Sequence, residues 1–172
     1  MNYNPEFHHR RSIRLKGYDY STAGAYFITI CTHEREQLFG DILDRTMVLN
    51  ELGHIAQLDW QKLARHHSNL IVDRSVIMPN HLHGIILLNL SILDGSGLSA
   101  NEDSKSISEI IGSFKTFSAR KINKIRKLKG VPVWQRNYYE RIIRTETELN
   151  YVRQYIIDNP INWQTDSNNK IR

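Results

Sequence analysis

From Leu82 to Leu90 the chain is almost continuously apolar, and the stretch GIILLNL offers no regular alternation that would give it a solvent face. Successive residues of a strand point to opposite faces of a sheet, so a strand of this kind has to be covered on both sides. The segment is therefore expected at the centre of a sheet. Ile71 to Met78 is a second strand, separated from the first by Pro79-Asn80, and the two most simply form an antiparallel hairpin. These two strands restrict the fold to layered arrangements of helices and sheet.

The remaining elements follow from periodicity. Tyr26 to His33 is rich in β-branched and aromatic residues and reads as a strand. Asn50 to His67 places Leu52, Ile55, Ala56, Trp60 and Leu63 at helical spacing, and its closing His66 and His67 suit the negative end of a helix. Ser106 with Glu109 makes a capping box ahead of Ile107, Ile110, Ile111, Phe114, Phe117, Ile122 and Ile125, a helix that Gly130 is expected to end. Val131 to Arg144 reads as a fourth strand. Thr145 with Glu148 opens a last helix through Leu149, Val152 and Ile156, stopped by Pro160. The order strand, helix, hairpin, helix, strand, helix is that of a ferredoxin-like α/β (α+β) sandwich, with an antiparallel sheet, helices on one face and one added C-terminal helix.

A single domain over 1–172 is expected, comprising a basic N-terminal segment (1–24), a mobile loop (93–105) and a tail (164–172). The 172 residues are enough to bury a core without staples, and the single cysteine, Cys31, excludes a disulfide framework and any multi-cysteine zinc site. The opening is polar and basic, and no apolar run is long enough to span a bilayer, so a soluble, cytoplasmic protein is expected. The net charge is +5, and the cations are clustered: Arg10, Arg11, Arg14 and Lys16 in one group, Lys115, Arg120, Lys121, Lys124, Arg126, Lys127 and Lys129 in another that contains no acid. Such a run is either a solvated helix face or a surface for a polyanion.

His81-Leu82-His83 is the most pointed feature. Alternation puts both imidazoles on one face, about 7 Å apart at the backbone and close enough to share a metal ion, with Leu82 turned to the opposite core. A pair of ordinary strand-end histidines gives the same pattern. Tyr155 and Asn159 stand four residues apart on the last helix, hence on one face of it, beside the apolar stripe. Taken alone, they read equally as a tyrosine at the rim of the core and a helix stop.

Together these segments carry a resemblance. MPNHLHGIILL (78–88), RRSIRLKGYDYSTAGAYFITICTH (10–33) and WQRNYYERIIRTETELNYVRQYIIDNP (134–160) resemble the REP-associated tyrosine transposases, a branch of the IS200/IS605-like single-tyrosine transposases, over almost the whole chain from Arg10 to Trp163. The resemblance implies that His81 and His83 are metal ligands and that Tyr155 is the nucleophile. It puts Asn159 where insertion-sequence relatives supply a glutamine ligand; asparagine is shorter by one methylene, so Asp158 or water is the alternative. It implies a divalent metal, Mg²⁺ or Mn²⁺. The substrate it implies is single-stranded DNA at hairpins of repeated extragenic palindromes, cleaved and rejoined through a 5′-phosphotyrosine. Tyr151, one turn earlier on the same face, is the rival nucleophile. Arg10, Arg11, Arg14, Lys16, Lys115, Arg120, Lys121 and Lys124 are then expected to hold the phosphate backbone, and Tyr138 and Tyr139 to stack on bases, with Trp134 better suited to packing. The chain is expected as a monomer or a homodimer. A non-catalytic ferredoxin-like module for single-stranded nucleic acid is the alternative reading. Its RNA-recognition form is disfavoured because 81–90 offers no aromatic for base stacking.

Overall fold

The computed structural model describes residues 23–67, 69–88 and 105–169. Arg10, Arg11, Arg14 and Lys16, nearly all of the expected 93–105 loop, and the last three residues of the tail lie outside them. The described chain runs β1 (Gly24–Cys31), β2 (Gly40–Leu43), β3 (Thr46–Leu49), α1 (Glu51–Gln61), α2 (Leu63–His66), β4 (Leu70–Met78), β5 (His81–Leu88), α3 (Ile107–Ile125), β6 (Tyr139–Ile143) and α4 (Glu146–Asp158). Four strands form one antiparallel sheet in the order β4-β5-β1-β6, which is the ferredoxin-like arrangement. β5 lies between β4 and β1, as its apolar run requires. Five of its residues are wholly buried.

The two faces of this sheet differ. On one, Tyr26, Ile28, Ile30, Leu82, Ile86 and Leu88 pack with Trp60 of α1 and Ile110, Ile111 and Phe114 of α3. Gly84 belongs to that face because Trp60 lies flat against it: a Cβ there would sit 2.4 Å from Trp60 Cζ2. On the other face, α4 lays Val152 and Ile156 over Ile85 and Ile143. A bulge between Val72 and Ser75 puts one extra residue in β4, and Asp73 within it pairs with Arg153 of α4 at 2.6 Å.

The capping residues act as the sequence implies. Asn50, Ser106 and Thr145 each accept a backbone N–H in the first turn of α1, α3 and α4. Other details differ from expectation. The 50–67 helix breaks at Lys62 into α1 and α2. α3 stops before Gly130: Lys127 takes the left-handed conformation (φ 56°) and the Leu128 N–H donates to the Asn123 carbonyl. The expected 131–144 strand pairs continuously only over Tyr139–Ile143, with one isolated bridge, Thr32 to Trp134, before it. The β2-β3 hairpin was not expected; its strands are only four residues long, and its turn needs positive φ at Asp44 and Arg45, which do not carry the usual Asn-Gly signal. No helix among the described residues is long and apolar enough to cross a membrane.

Candidate active site

The strand register brings Thr29 opposite His83 and Cys31 opposite His81, so these four side chains share the α4 face of the sheet. Leu82, between the histidines, enters the opposite core, as alternation requires. Both imidazoles are buried and their ring centroids are 4.5 Å apart.

The hydrogen bonds around them orient the rings. Asn80 donates both of its amide hydrogens to carbonyls, those of Arg35 (3.3 Å) and Asn168 (2.9 Å). Its Oδ1 is therefore the atom facing His81 Nδ1 at 2.9 Å, and an oxygen there can only accept. The proton of His81 is thus on Nδ1, and Nε2 presents a lone pair. That Nε2 is buried with no hydrogen-bond partner, 4.0 Å from Asp166 Oδ2. His83 Nδ1 pairs with the Thr29 hydroxyl at 2.8 Å, and its Nε2 faces the Tyr155 hydroxyl at 3.3 Å. Burial keeps both rings neutral: His81 is pushed down to about 4, with Asp166 opposing that shift and Arg35 adding to it, and His83 is held well below its usual value by burial and by His81.

α4 then delivers the tyrosine. Tyr155 stands at the edge of the helix, 40% exposed, with its ring edge-on to Phe27 and its hydroxyl toward His83. Its pKa is raised, chiefly by burial and further by Asp166, while an Asn159 hydrogen bond opposes the rise. Tyr151 is 72% exposed. Asn159 is buried, donates to Asp166 Oδ2 at 3.0 Å and leaves its own Oδ1 without a partner. Asp158 is turned elsewhere, with both oxygens taking the Gln154 amide.

Asp166 is the residue that sequence reasoning missed. It follows a single helical turn at Trp163–Thr165, beyond the Pro160 stop, and the backbone N–H of Asn168 donates to its Oδ1 at 2.6 Å. One ligand atom each from His81, His83 and Asp166 lie within 4.8 Å of one another. Two imidazoles and a carboxylate drawn together, with His81 Nε2 and Asn159 Oδ1 buried and unpartnered beside them, form a donor set that fits a divalent cation. No sequence periodicity marks a carboxylate eight residues past a helix end.

Beside this point opens a cleft of about 430 Å³, bordered by Arg35, His83, Tyr138, Tyr139, Tyr155 and Asn168. Tyr138 bonds Glu140 (2.9 Å), and Tyr139 meets Phe27 edge-on, so the expected tyrosine pair does border the site. Trp134 packs with Phe39 and Phe114 and donates to Ser118, a structural role. The cationic helix is placed differently from the tyrosine. α3 covers the opposite face of the sheet; Lys121 pairs with Asp59 at 2.5 Å, and Arg120 lies over Phe117. Lys115 is folded back onto the carbonyls of Gln135 and Arg136, and its burial lowers its pKa to about 8. That lysine braces the loop leading into the cleft. Lys124 is exposed near the end of α3.

The fold and this site define a ferredoxin-like α+β protein with paired histidines and a helix-borne tyrosine at one cleft. No family model matches the chain. It is 43% identical to an uncharacterized protein of Haemophilus influenzae across 95% of each sequence, and the chain belongs to the same family as that protein. Its fold is that of the REP-associated tyrosine transposases, the family its sequence resembles. The solved structure of one such transposase, bound to a REP hairpin, matches at a TM-score of 0.58 and 19% identity, over 88% of this chain and 74% of that one.

Proposed function

We propose that this protein is a single-strand DNA transposase of the REP-associated type, cleaving and rejoining DNA by transesterification on Tyr155. The observation that carries the reading is the Tyr155 hydroxyl at 3.3 Å from His83 Nε2, at the mouth of the site where His81, His83 and Asp166 converge. His81, His83 and Asp166, with Asn159 against them, would hold Mg²⁺ or Mn²⁺, which when bound supplies positive charge to polarise the scissile phosphate. Tyr155 Oη attacks phosphorus, forming the O–P bond of a 5′-phosphotyrosine as the bond to the 3′-oxygen breaks. The phenolic proton is lost and the leaving oxygen is protonated to a 3′-OH. Attack by a second 3′-OH reverses the step and joins new ends, because the phosphotyrosine conserves the phosphodiester energy.

The chain's own groups prepare this reaction. Phe27 holds the Tyr155 ring edge-on, Thr29 and Asn80 set the rotation of the two imidazoles, and burial keeps both imidazoles neutral at pH 7 and so available as ligands. Tyr138 and Tyr139 offer stacking surfaces for unpaired bases at the cleft wall. Histidines and tyrosine meet within one chain, so a single protomer carries the complete set. A DNA hairpin with a single-stranded foot is the proposed substrate, in keeping with the hairpin held by the structural relative.

The test is a denaturing gel of the protein with labelled single-stranded hairpin DNA and Mn²⁺. Label should migrate with the parent protein and not with Tyr155→Phe, whose folding and DNA binding should be unchanged because only one oxygen is removed. An adduct that persists in Tyr155→Phe, or one mapped to Tyr151, overturns the assignment of the nucleophile. DNA binding with no adduct under any metal would favour the non-catalytic module.

A further inference from the structure

The cleft must accept a polyanion, and a metal ion held by His81, His83 and Asp166 would serve the scissile phosphate alone, so neighbouring backbone phosphates need a cation from the chain itself. Among the described residues that border the cleft, Arg35 is the one lysine or arginine. No carboxylate among the described residues pairs with it, whereas the nearby Arg126 is engaged by Glu36. The Arg35 charge reaches the floor of the cleft, where it opposes the burial that raises the Cys31 thiol pKa.

The backbone spends strain to put Arg35 there. Glu34 (φ 52°) and Arg35 (φ 62°) are consecutive non-glycine residues in the left-handed region, a conformation that side chains with a Cβ disfavour. Backbone and side-chain hydrogen bonds hold the turn. The Arg35 N–H donates to the Thr32 carbonyl (3.2 Å), the Thr32 hydroxyl donates to the Glu36 carbonyl (2.7 Å), and Asn80 Nδ2 donates to the Arg35 carbonyl. Asn80 is the residue whose other end orients His81, so one side chain sets both the imidazole and the arginine turn. The Arg35 guanidinium donates through Nη1 to Asn168 Oδ1. Of its five N–H groups, that leaves enough for a two-pronged bond to a phosphate.

We propose that Arg35 is the phosphate-binding residue of this cleft, its guanidinium taking the non-bridging oxygens of a DNA backbone phosphate adjacent to Tyr155. The proposal rests on the transposase reading for the identity of the ligand and assigns to Arg35 the work of seating the strand for attack. Lysine would keep the charge but lose the fork.

The experiment pairs Arg35 variants with DNA whose charge is removed one linkage at a time. Binding of a single-stranded oligonucleotide is measured without metal, where no cleavage occurs, and adduct formation is measured with Mn²⁺. Arg35→Gln should weaken binding about 10-fold, reduce the log-log salt slope by about 0.7, and raise KM for adduct formation more than it lowers kcat. Arg35→Lys should recover part of the loss. An uncharged methylphosphonate at one particular linkage should weaken the parent and leave Arg35→Gln unaffected, which identifies the phosphate. If every linkage costs Arg35→Gln as much as it costs the parent, or if the salt slope is unchanged, Arg35 is not a phosphate contact. Should Arg35→Gln fail to fold, Arg35→Met, which keeps the aliphatic stem and removes the charge, carries the same comparison. A parent that binds DNA but forms no adduct refutes the transposase reading while the binding arm still decides Arg35.

Discussion

The two faces of the sheet are built from the same four strands and held in different ways. Under α1 and α3, twenty buried residues form one continuous apolar cluster; under α4, among the described residues, there are four. The large face derives its stability from area, with Trp60, Tyr26, Phe39 and eight or more aliphatic side chains wholly out of water. The small face combines four apolar side chains with an ion pair and a buried polar cluster, whose groups cost free energy to bury unless partnered. The lesson is a division of labour: one face supplies the folding free energy that the other spends on two neutral histidines, a carboxylate and unpartnered lone pairs.

The largest loss is expected at Trp60. Trp60→Ala should cost about 3–5 kcal/mol in denaturant titration, since the ring is fully buried against Gly84 and Phe114 and its removal leaves a cavity in the larger core. A loss near 1 kcal/mol would mean that the large face is not the anchor of the fold.

The polar face should reveal itself through pH. His81 titrates near 4 when folded and near its ordinary 6.5 when unfolded, and His83 shifts in the same direction. Between those values the unfolded chain binds protons that the native chain does not, so stability is full above about pH 6.5 and falls as pH drops toward about 4. Denaturant midpoints at pH 7, 5.5 and 4.5 should decline in that order, and His81→Gln should flatten the decline. An unchanged slope in that variant would detach His81 from the acid sensitivity.

The smallest effect is expected where α4 meets the β4 bulge. Arg153→Ala removes the pair with Asp73 that ties α4 to the β4 bulge, a partly exposed contact worth about 0.5–1 kcal/mol. Amide exchange in α4 should quicken about 2–5-fold, while α3 stays as in the parent. Equal acceleration of both helices would show that α4 is no looser than the rest.

Much of this molecule was legible in the chain because local rules govern it. The apolar 82–88 run called for a central strand, the capping residues Asn50, Ser106 and Thr145 marked three helix starts, and the spacing of His81 and His83 put their imidazoles together on one face. Helical spacing put Tyr155 and Asn159 on one face, while their place in a site came only from the family resemblance. The cationic run on α3 was equally visible, but its direction was not: periodicity says which residues share a face, and only packing says that this face lies across the sheet from the tyrosine. Lys115 shows the same limit, since its carbonyl partners lie twenty and more residues away.

The sequence by itself determined the antiparallel layers, the helix that carries the tyrosine and the paired imidazoles, because each depends on contacts within a few residues or on the two-residue repeat of a strand. Tertiary structure alone decided that Asp166 returns from beyond Pro160 to within 4.0 Å of His81, that Asn80 orients a histidine and an arginine turn together, and that Arg35 faces the cleft. The physical reason is that these are meetings between segments distant in the chain, closed by single hydrogen bonds and charges, and a lone aspartate, asparagine or arginine in a loop carries no period from which such a meeting can be read.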